Sequence, residues 1–286
     1  MSLRKMDVLV VGAGFSGLYL LHKLRSSGFS VAVFEKADQL GGTWHWNRYP
    51  GARCDIPSLQ YSYQFDEGLQ QDWNWSEKYS AQPEILEYLN HVADRFDLRR
   101  DIEFNTEVIS ATFNEERSLW EVKTSTGDVE AKFCVMATGC LSAPNTPDFE
   151  GLNDYKGQLL HTGKWPQTPV DFTDETVAII GTGSSSIQSI PVIAEQAKHL
   201  FVFQRTANYS IPSNNGPMDS EEESLVKSRY PEFRKENWEN GFGIAGLEVE
   251  ALATEASDQE RLEKFNNHWE KEGLGFLGAY ADLMLD

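Results

Sequence analysis

Short apolar runs and a helical repeat follow one another at the start of the chain. Residues 8–11 form an apolar run directly after Asp7, and the run ends at the glycine-rich residues 12–17. Leu18, Leu21 and Leu24 then recur at the spacing of one helix face, and Gly28 closes the repeat. A second apolar run, residues 31–34, ends at Glu35. The pattern predicts a buried strand, a glycine turn, a helix and a second buried strand.

The glycine spacing in this turn is typical of dinucleotide binding. A G-x-G-x-x-G pattern between a strand and a helix gives one glycine to the tight turn, one to close approach of a pyrophosphate, and one to helix–strand packing. An acidic residue at the end of the second strand suits a ribose 2′-hydroxyl. The predicted nucleotide-binding residues are Gly12, Ala13, Gly14, Phe15, Ser16, Gly17 and Glu35. A glycine-rich turn without a ligand is the alternative.

The same pattern returns later with the opposite charge at the ribose position. Apolar runs at residues 177–180 and 200–203 flank a glycine turn and a helix that we expect to reach about residue 197. Arg205 stands where the first unit has Glu35, which suits the 2′-phosphate of NADP, although a solvated surface arginine is the alternative. Ser186 replaces the third glycine, so the helix is expected to pack farther from its strand. The predicted residues are Gly181, Thr182, Gly183, Ser184, Ser185, Ser186, Gln188, Arg205 and Thr206.

Together the two units predict an α/β protein with two Rossmann-like dinucleotide-binding domains, one for FAD and one for NADPH. Alternating polar and apolar residues over about 102–135 predict an antiparallel β meander inserted in the first domain. The expected domains are residues 1–142 for FAD, 143–212 for part of the NADPH domain, and 213–286 for an incomplete helical insertion.

Charge and cysteine content exclude several functions. The chain has 44 acidic and 25 basic residues, a formal net charge of −19. That charge disfavours binding to nucleic acid or to an anionic membrane surface. The three cysteines form neither a CxxC pair nor a zinc spacing, so we predict no metal site, a reduced cytoplasmic protein, and no disulfide reductase chemistry. No apolar run approaches the about 20 residues of a membrane helix.

Two further segments resemble the type I Baeyer–Villiger monooxygenase family. Residues 155–166 fit its fingerprint, an aromatic-x-G-x-x-x-H-x-x-x-W-P run before the second glycine turn, and residues 41–55 are similar to its flavin-contacting loop. Residues 137–139 and 204–206 also match. Phenylacetone and cyclohexanone monooxygenases are the members that it most resembles. The resemblance implies that FAD and NADPH serve to insert one oxygen of O2 into a small-molecule ketone, giving an ester or lactone.

The same resemblance implies roles for individual residues. Asp55 matches an aspartate that orients an active-site arginine, with a turn-capping aspartate as the alternative. His161 and Trp165 match positions that couple domain motion to nicotinamide binding, although a structural hydrogen-bonding role is the alternative for the histidine. Core packing is the alternative for the tryptophans at positions 44 and 46. The implied cofactor-contacting residues are Thr43, Trp44, His45, Trp46, Arg53, Cys54, Asp55, Tyr61 and Val108.

Members of that family are considerably longer than 286 residues. We therefore expect a C-terminal truncation inside the helical insertion, ahead of the segment that carries the active-site arginine. Two other functions stay open: a flavin monooxygenase that oxygenates nitrogen or sulfur, and an inactive nucleotide-binding remnant.

Overall fold

The computed structural model describes residues 3–141, 143–241, 243–245, 249, 251–270 and 273–283. Its helices are α1 Phe15–Ser26, α2 Thr43–Trp46, α3 Glu67–Asp72, α4 Gln82–Arg95, α5 Ser184–Gln196, α6 Ser220–Ser228, α7 Tyr230–Glu239 and α8 Asp258–Trp269. Its strands are β1 Arg4–Val11, β2 Val31–Phe34, β3 Ile102–Glu103, β4 Val108–Asn114, β5 Leu119–Thr124, β6 Val129–Met136, β7 Thr176–Ile180 and β8 His199–Phe203. Short 3-10 helices lie at Arg99–Asp101, Leu152–Asp154, Thr162–Lys164, Ala253–Glu255 and Gly273–Gly278.

The chain folds into two compact units, and each is built from two separate segments. Unit 1 comprises Met1–Pro50 and Gln82–Asp171, and unit 2 comprises Gly51–Ala81 and Phe172–Asp286. This division differs from the predicted boundaries, because residues 51–81 group with the second half of the chain and residues 143–171 group with the first. The predicted boundary residue 142 lies outside the described residues.

A six-stranded sheet in the order β3-β2-β1-β6-β5-β4 forms the centre of unit 1. β1 pairs in parallel with β2 and β6, and β4, β5 and β6 form the antiparallel meander. The meander is shorter than predicted, because residues 102–103 pair in parallel with β2. Leu9, Val10, Val33 and the helix residue Leu18 are fully buried, as expected for apolar runs inside a parallel sheet.

Unit 2 contains the second βαβ arrangement. β7 and β8 pair in parallel, from Thr176 opposite His199 to Ile180 opposite Phe203, and α5 connects them. The sheet has two strands, and much of its apolar surface is open: Ile180 is 67% exposed and Phe203 56%. The helices α6, α7 and α8 form the part that was predicted to be a helical insertion.

Residues 51–81 are attached to unit 2 by backbone and side-chain hydrogen bonds. The Lys78 backbone N–H donates to Gly216 O at 3.1 Å, and the Met218 N–H donates to Ser76 O at 2.9 Å. On α7, the guanidinium of Arg234 donates to the side chains of Gln70 at 2.9 Å and Ser62 at 2.7 Å. These contacts explain why the segment belongs with residues far away in sequence.

No helix among the described residues is both long enough and apolar enough to cross a bilayer.

Candidate cofactor sites and the Asp55 loop

The first glycine turn follows β1 in unit 1 and depends on two close backbone approaches. Gly12 has a φ of +103°, and a Cβ built there would lie 2.7 Å from Ala137 O. A Cβ built on Gly17 would overlap the carbonyl oxygen of Gly12 and lie 3.0 Å from its carbonyl carbon. These two glycines therefore have the turn and packing roles that the sequence predicts.

The N-terminus of α1 has backbone N–H groups that no side chain caps. Gly14 is the N-cap, no side chain caps the helix, and no acidic residue stands in its first turn. The backbone at Gly42 lies beside Gly14, whose built Cβ would be 3.4 Å from Gly42 Cα, and the Gly41 N–H donates to Ala13 O at 3.0 Å. A helix start with uncapped N–H groups and a glycine backbone around it fits a pyrophosphate. Phe15 and Ser16, the first helical residues, belong to this start.

Glu35 is held against this turn at the end of β2. It is 5% exposed, and its two carboxylate oxygens accept from the backbone N–H groups of Ala13 at 2.7 Å and Ala37 at 2.9 Å. Each carboxylate oxygen can accept more than one hydrogen bond. The carboxylate is therefore fixed in place and still able to accept from a ribose hydroxyl.

The residues of α2 differ in exposure. Trp44 and His45 are buried, whereas Trp46 is 37% exposed and Thr43 is half-buried. The side chain of Gln82 donates to Trp44 O, which ties α2 to α4. Burial, together with the nearby Arg48 charge, lowers the pKa of His45. Trp44 thus packs in the core of unit 1. Val108, at the start of β4, is half-buried.

The second glycine turn, in unit 2, is more open than the first. Gly181 has a φ of +106° and donates its N–H to Phe203 O at 2.9 Å. Gly183 is the N-cap of α5 without a capping side chain, and a Cβ built there meets nothing within 4 Å. The Oγ of Ser186 lies 3.9 Å from a Cβ built on Gly181, so α5 leaves room for a side chain where α1 needs a glycine. Ser184 and Ser185 form the first turn of α5.

Thr182 in this turn is tied to the residues that follow β8. Its Oγ1 accepts from Gln204 Nε2 at 2.9 Å, and its carbonyl accepts from Asn208 Nδ2 at 2.8 Å. Neither contact is indicated by the sequence pattern. Arg205 and Thr206 follow Gln204 and are exposed. Hydrogen bonds within unit 2 therefore join the turn to the segment that follows β8.

The loop that carries Asp55 is held by Gln188 on α5. Gln188 Nε2 donates to Asp55 Oδ1 at 2.9 Å and to Arg53 O at 3.1 Å, and the Arg53 N–H donates to Gln188 Oε1 at 3.4 Å. The N–H of Ile56 donates to Cys54 Sγ at 3.4 Å. Asp55 is therefore hydrogen-bonded to a side chain of α5.

A charged cluster supports the other side of this loop. Arg53 Nη1 donates to Glu77 Oε2 at 2.8 Å and to Tyr79 O at 3.0 Å, and Asn215 Nδ2 donates to the same Glu77 oxygen at 2.6 Å. Although burial acts to raise the pKa of Glu77, these hydrogen bonds lower it. Burial raises the pKa of the Cys54 thiol to about 11, so this thiol is neutral at physiological pH. Nothing local in the sequence indicates the cluster, because Glu77 and Asn215 are 138 positions apart.

His161 lies in unit 1, where backbone groups contact both of its ring nitrogens. The Gly163 N–H donates to Nδ1 at 3.0 Å, and Nε2 lies 3.1 Å from Asn145 O. Since Nδ1 accepts, the neutral ring carries its proton on Nε2 and donates it to Asn145. Both ring nitrogens of His161 are therefore used in contacts to backbone groups. Trp165 directly follows the Thr162–Lys164 turn and is half-buried.

The implied cofactor-contacting residues are divided between the two units. The first glycine turn, residue 35, residues 43–46 and residue 108 lie in unit 1. Arg53, Cys54, Asp55 and Tyr61 lie in unit 2 with the second glycine turn. Among the described residues, no group of three histidine, cysteine or acidic side chains is arranged to hold a metal ion.

Comparison with known proteins identifies the family. A Baeyer-Villiger monooxygenase of Pseudooceanicola batsensis is 45% identical over 283 residues, 97% of this chain and 51% of that protein. A cyclohexanone 1,2-monooxygenase of Acinetobacter sp. is 41% identical over 269 residues, 93% of this chain and 49% of that protein. The solved structure of an oxidized steroid monooxygenase bound to NADP is 52% identical in sequence and has a TM-score of 0.93. The match covers 99% of this chain and 54% of that protein's chain.

These relatives confirm the resemblance that the motifs indicate, and the chain spans about half the length of the curated relatives it matches. The sequence model of the flavin-binding monooxygenase-like family matches residues 5–240. Since that match covers most of the 286 residues, the chain belongs to the flavin-binding monooxygenase-like family.

Proposed function

We propose that this chain supplies the FAD- and NADPH-binding half of a Baeyer–Villiger monooxygenase, which inserts one oxygen of O2 into a ketone to give an ester or lactone. One observation carries the proposal: two uncapped helix N-termini each follow a parallel strand, with Glu35 at the ribose position of one and Arg205 at that of the other. Opposite charges at these positions suit two different nucleotides.

The first turn is the FAD site in this proposal. The backbone N–H groups at the start of α1 hold the pyrophosphate, where the helix dipole also favours negative charge. The carboxylate of Glu35, fixed by Ala13 and Ala37, accepts from the ribose. FAD, when bound, supplies the redox and oxygen chemistry, and the chain supplies position and charge.

The second turn is the NADPH site. The start of α5 has open space at Gly183 for a pyrophosphate, and Arg205 pairs with the 2′-phosphate. Asp55 is exposed, and Gln188 holds one of its carboxylate oxygens. In this proposal its carboxylate binds the active-site arginine that the family resemblance implies. His161 holds the fingerprint segment in shape through its two backbone contacts.

The test is spectroscopic and then chemical. The purified chain is mixed with FAD and gel-filtered, and its visible spectrum is recorded before and after NADPH. We expect a retained flavin band that NADPH bleaches. Ketone and thioether substrates are then compared by product analysis, and ester formation supports ketone oxygenation, whereas sulfoxide alone favours the nitrogen- and sulfur-oxygenating alternative. A colourless protein would leave only the remnant hypothesis.

A charge-removal pair tests the nucleotide assignment. Arg205→Ala should weaken NADPH binding about 10- to 100-fold and leave NADH binding unchanged, because a hydrogen bond to a charged group contributes about 1.5–3 kcal/mol. Arg229→Ala is the matched control, since Arg229 is also in unit 2 and its partner is Glu236. An equal loss for both nucleotides in Arg205→Ala would contradict the 2′-phosphate contact.

A further inference from the structure

The carboxamide of Gln188 has a second role that the nucleotide-binding pattern does not assign. Its Nε2 contacts both Asp55 Oδ1 and Arg53 O, while its Oε1 accepts from the N–H of Arg53. We propose that Gln188 is a positioning residue, which places the Asp55 carboxylate by fixing the Arg53–Asp55 backbone against α5. The catalytic consequence of this inference rests on the proposed function, but the positioning itself does not.

The chemistry of the side chain explains why a carboxamide stands here. An amide nitrogen has two N–H donors, and Gln188 uses one for a backbone carbonyl and the other for a carboxylate. Its oxygen accepts from the N–H of the same Arg53, so the side chain pairs with that residue as a neighbouring strand would. Glutamate, with the same shape, has no donor for either acceptor and would add a second negative charge beside Asp55.

The loop approaches α5 closely because of Gly51. This glycine has a φ of +76°, and a Cβ built on it would overlap the Gln188 carbonyl oxygen and lie 3.2 Å from Val192 Cγ2. Both contacts are to the second and third turns of α5, directly after its nucleotide-facing start at Ser184. The loop is therefore seated on the helix whose N-terminus is the proposed NADPH site.

The opposite side of the Arg53 backbone is also held. Arg53 forms an antiparallel bridge with Ala81, and its guanidinium contacts Glu77. The peptide at Arg53 is thus clamped between residues 77–81 and Gln188. Replacing Gln188 leaves the contacts of Arg53 with Ala81 and Glu77 in place. The expected change is therefore a local shift of residues 53–55 and not loss of the fold.

Hydrogen exchange of the full chain tests the positioning directly. Gln188→Ala and the isosteric Gln188→Glu should both increase exchange in a peptide covering residues 51–58 by about tenfold or more, because each loses hydrogen bonds, one of them to a carboxylate. A peptide covering β8 should keep its exchange rate, which excludes global unfolding. Gln196→Ala, an exposed change at the end of the same helix, is the control and should change neither peptide. Unchanged exchange at residues 51–58 in both Gln188 variants overturns the proposal.

A double-mutant comparison then tests the route through Asp55. In ester formation, Gln188→Ala should lower kcat at least tenfold with a KM for NADPH within twofold of the parent chain. Adding Gln188→Ala to Asp55→Ala should cause no further loss, since the residue that it positions is already gone. Losses that multiply, together with a raised KM for NADPH, would make Gln188 a nucleotide ligand and overturn the inference. If the parent chain retains no FAD and forms no ester, the proposed function fails, while the exchange measurement still decides the positioning.

Discussion

The packing of α1 against the first glycine turn predicts that Gly17→Ala lowers the free energy of unfolding, although helix propensity alone predicts an increase. Gly17 lies in the first turn of α1, where alanine would normally stabilise a helix by about 1 kcal/mol relative to glycine. A Cβ at this position overlaps Gly12 O, and this atom belongs to the backbone, so no side-chain rotation can relieve the overlap. The helix must move away from β1 instead, which loosens the contacts of the fully buried Leu18 and Leu21.

The magnitude follows from these opposing terms. Overpacking of a close-packed interior costs about 1–3 kcal/mol, and an obstructing backbone atom places the cost at the upper end. After subtraction of the helix-propensity gain, Gly17→Ala should lose about 2 kcal/mol of unfolding free energy. For a chain of this size, with an unfolding entropy of about 2.1 cal/mol/K per residue, the melting temperature should fall by roughly 3 °C.

Urea unfolding followed by circular dichroism measures this change. Ser16→Ala, one residue earlier and exposed, is the control and should stay within about 0.5 kcal/mol of the parent chain. If Gly17→Ala is as stable as the parent, or more stable, then helix propensity outweighs the overlap and the packing argument for the third glycine is wrong.

Three further predictions concern titratable side chains. Because the pKa of Cys54 is about 11, about one Cys54 thiol in a thousand is ionised at pH 8, so iodoacetamide should label the exposed Cys140 first; equal labelling by mass spectrometry would contradict this. The lowered pKa of Glu77 means that its contribution to stability is present above its ordinary value of 4.5 and lost as the pH falls through the lower folded-state value. Urea midpoints of the parent should therefore fall more steeply than those of Glu77→Gln as the pH falls from 4.5 through the folded-state pKa of Glu77, and parallel curves over that range would refute the assignment. Glu35→Gln places amide hydrogens against one of the two backbone donors and should weaken FAD binding about tenfold in a fluorescence titration, whereas an unchanged Kd would remove Glu35 from the site.

The parts of the fold that the sequence predicts are those with local contacts. β1, the turn at Gly12, α1 and β2 lie within about 30 consecutive residues, and each strand is an apolar run bounded by glycine or an acid. The helix predicted to reach about residue 197 ends at Gln196 for the same reason. Periodicity and turn chemistry act over a few residues, so they suffice for such elements.

Long-range contacts account for what the sequence could not predict. Residues 51–81 follow the first nucleotide unit along the chain, yet their partners are Gln188, Asn215 and Arg234. No local pattern connects Arg53 with a residue 135 positions later. The exposed Trp46 and the buried Trp44 are the same residue type, two positions apart in the same short helix, so local sequence does not distinguish them and tertiary packing does.

Because unit 2 is built from two separate segments of the chain, its two parts are synthesised at different times. Residues 51–81 leave the ribosome long before Gln188 exists, and at about 5–20 residues per second the interval is roughly 5–20 s. During that time Leu59, Leu69 and Trp75, all buried in the finished unit, have no native surface in unit 2 to cover them. Nascent chains halted before residue 172 should therefore bind chaperones that recognise exposed hydrophobic segments at residues 51–81. Chains halted after α7 should no longer bind those chaperones there.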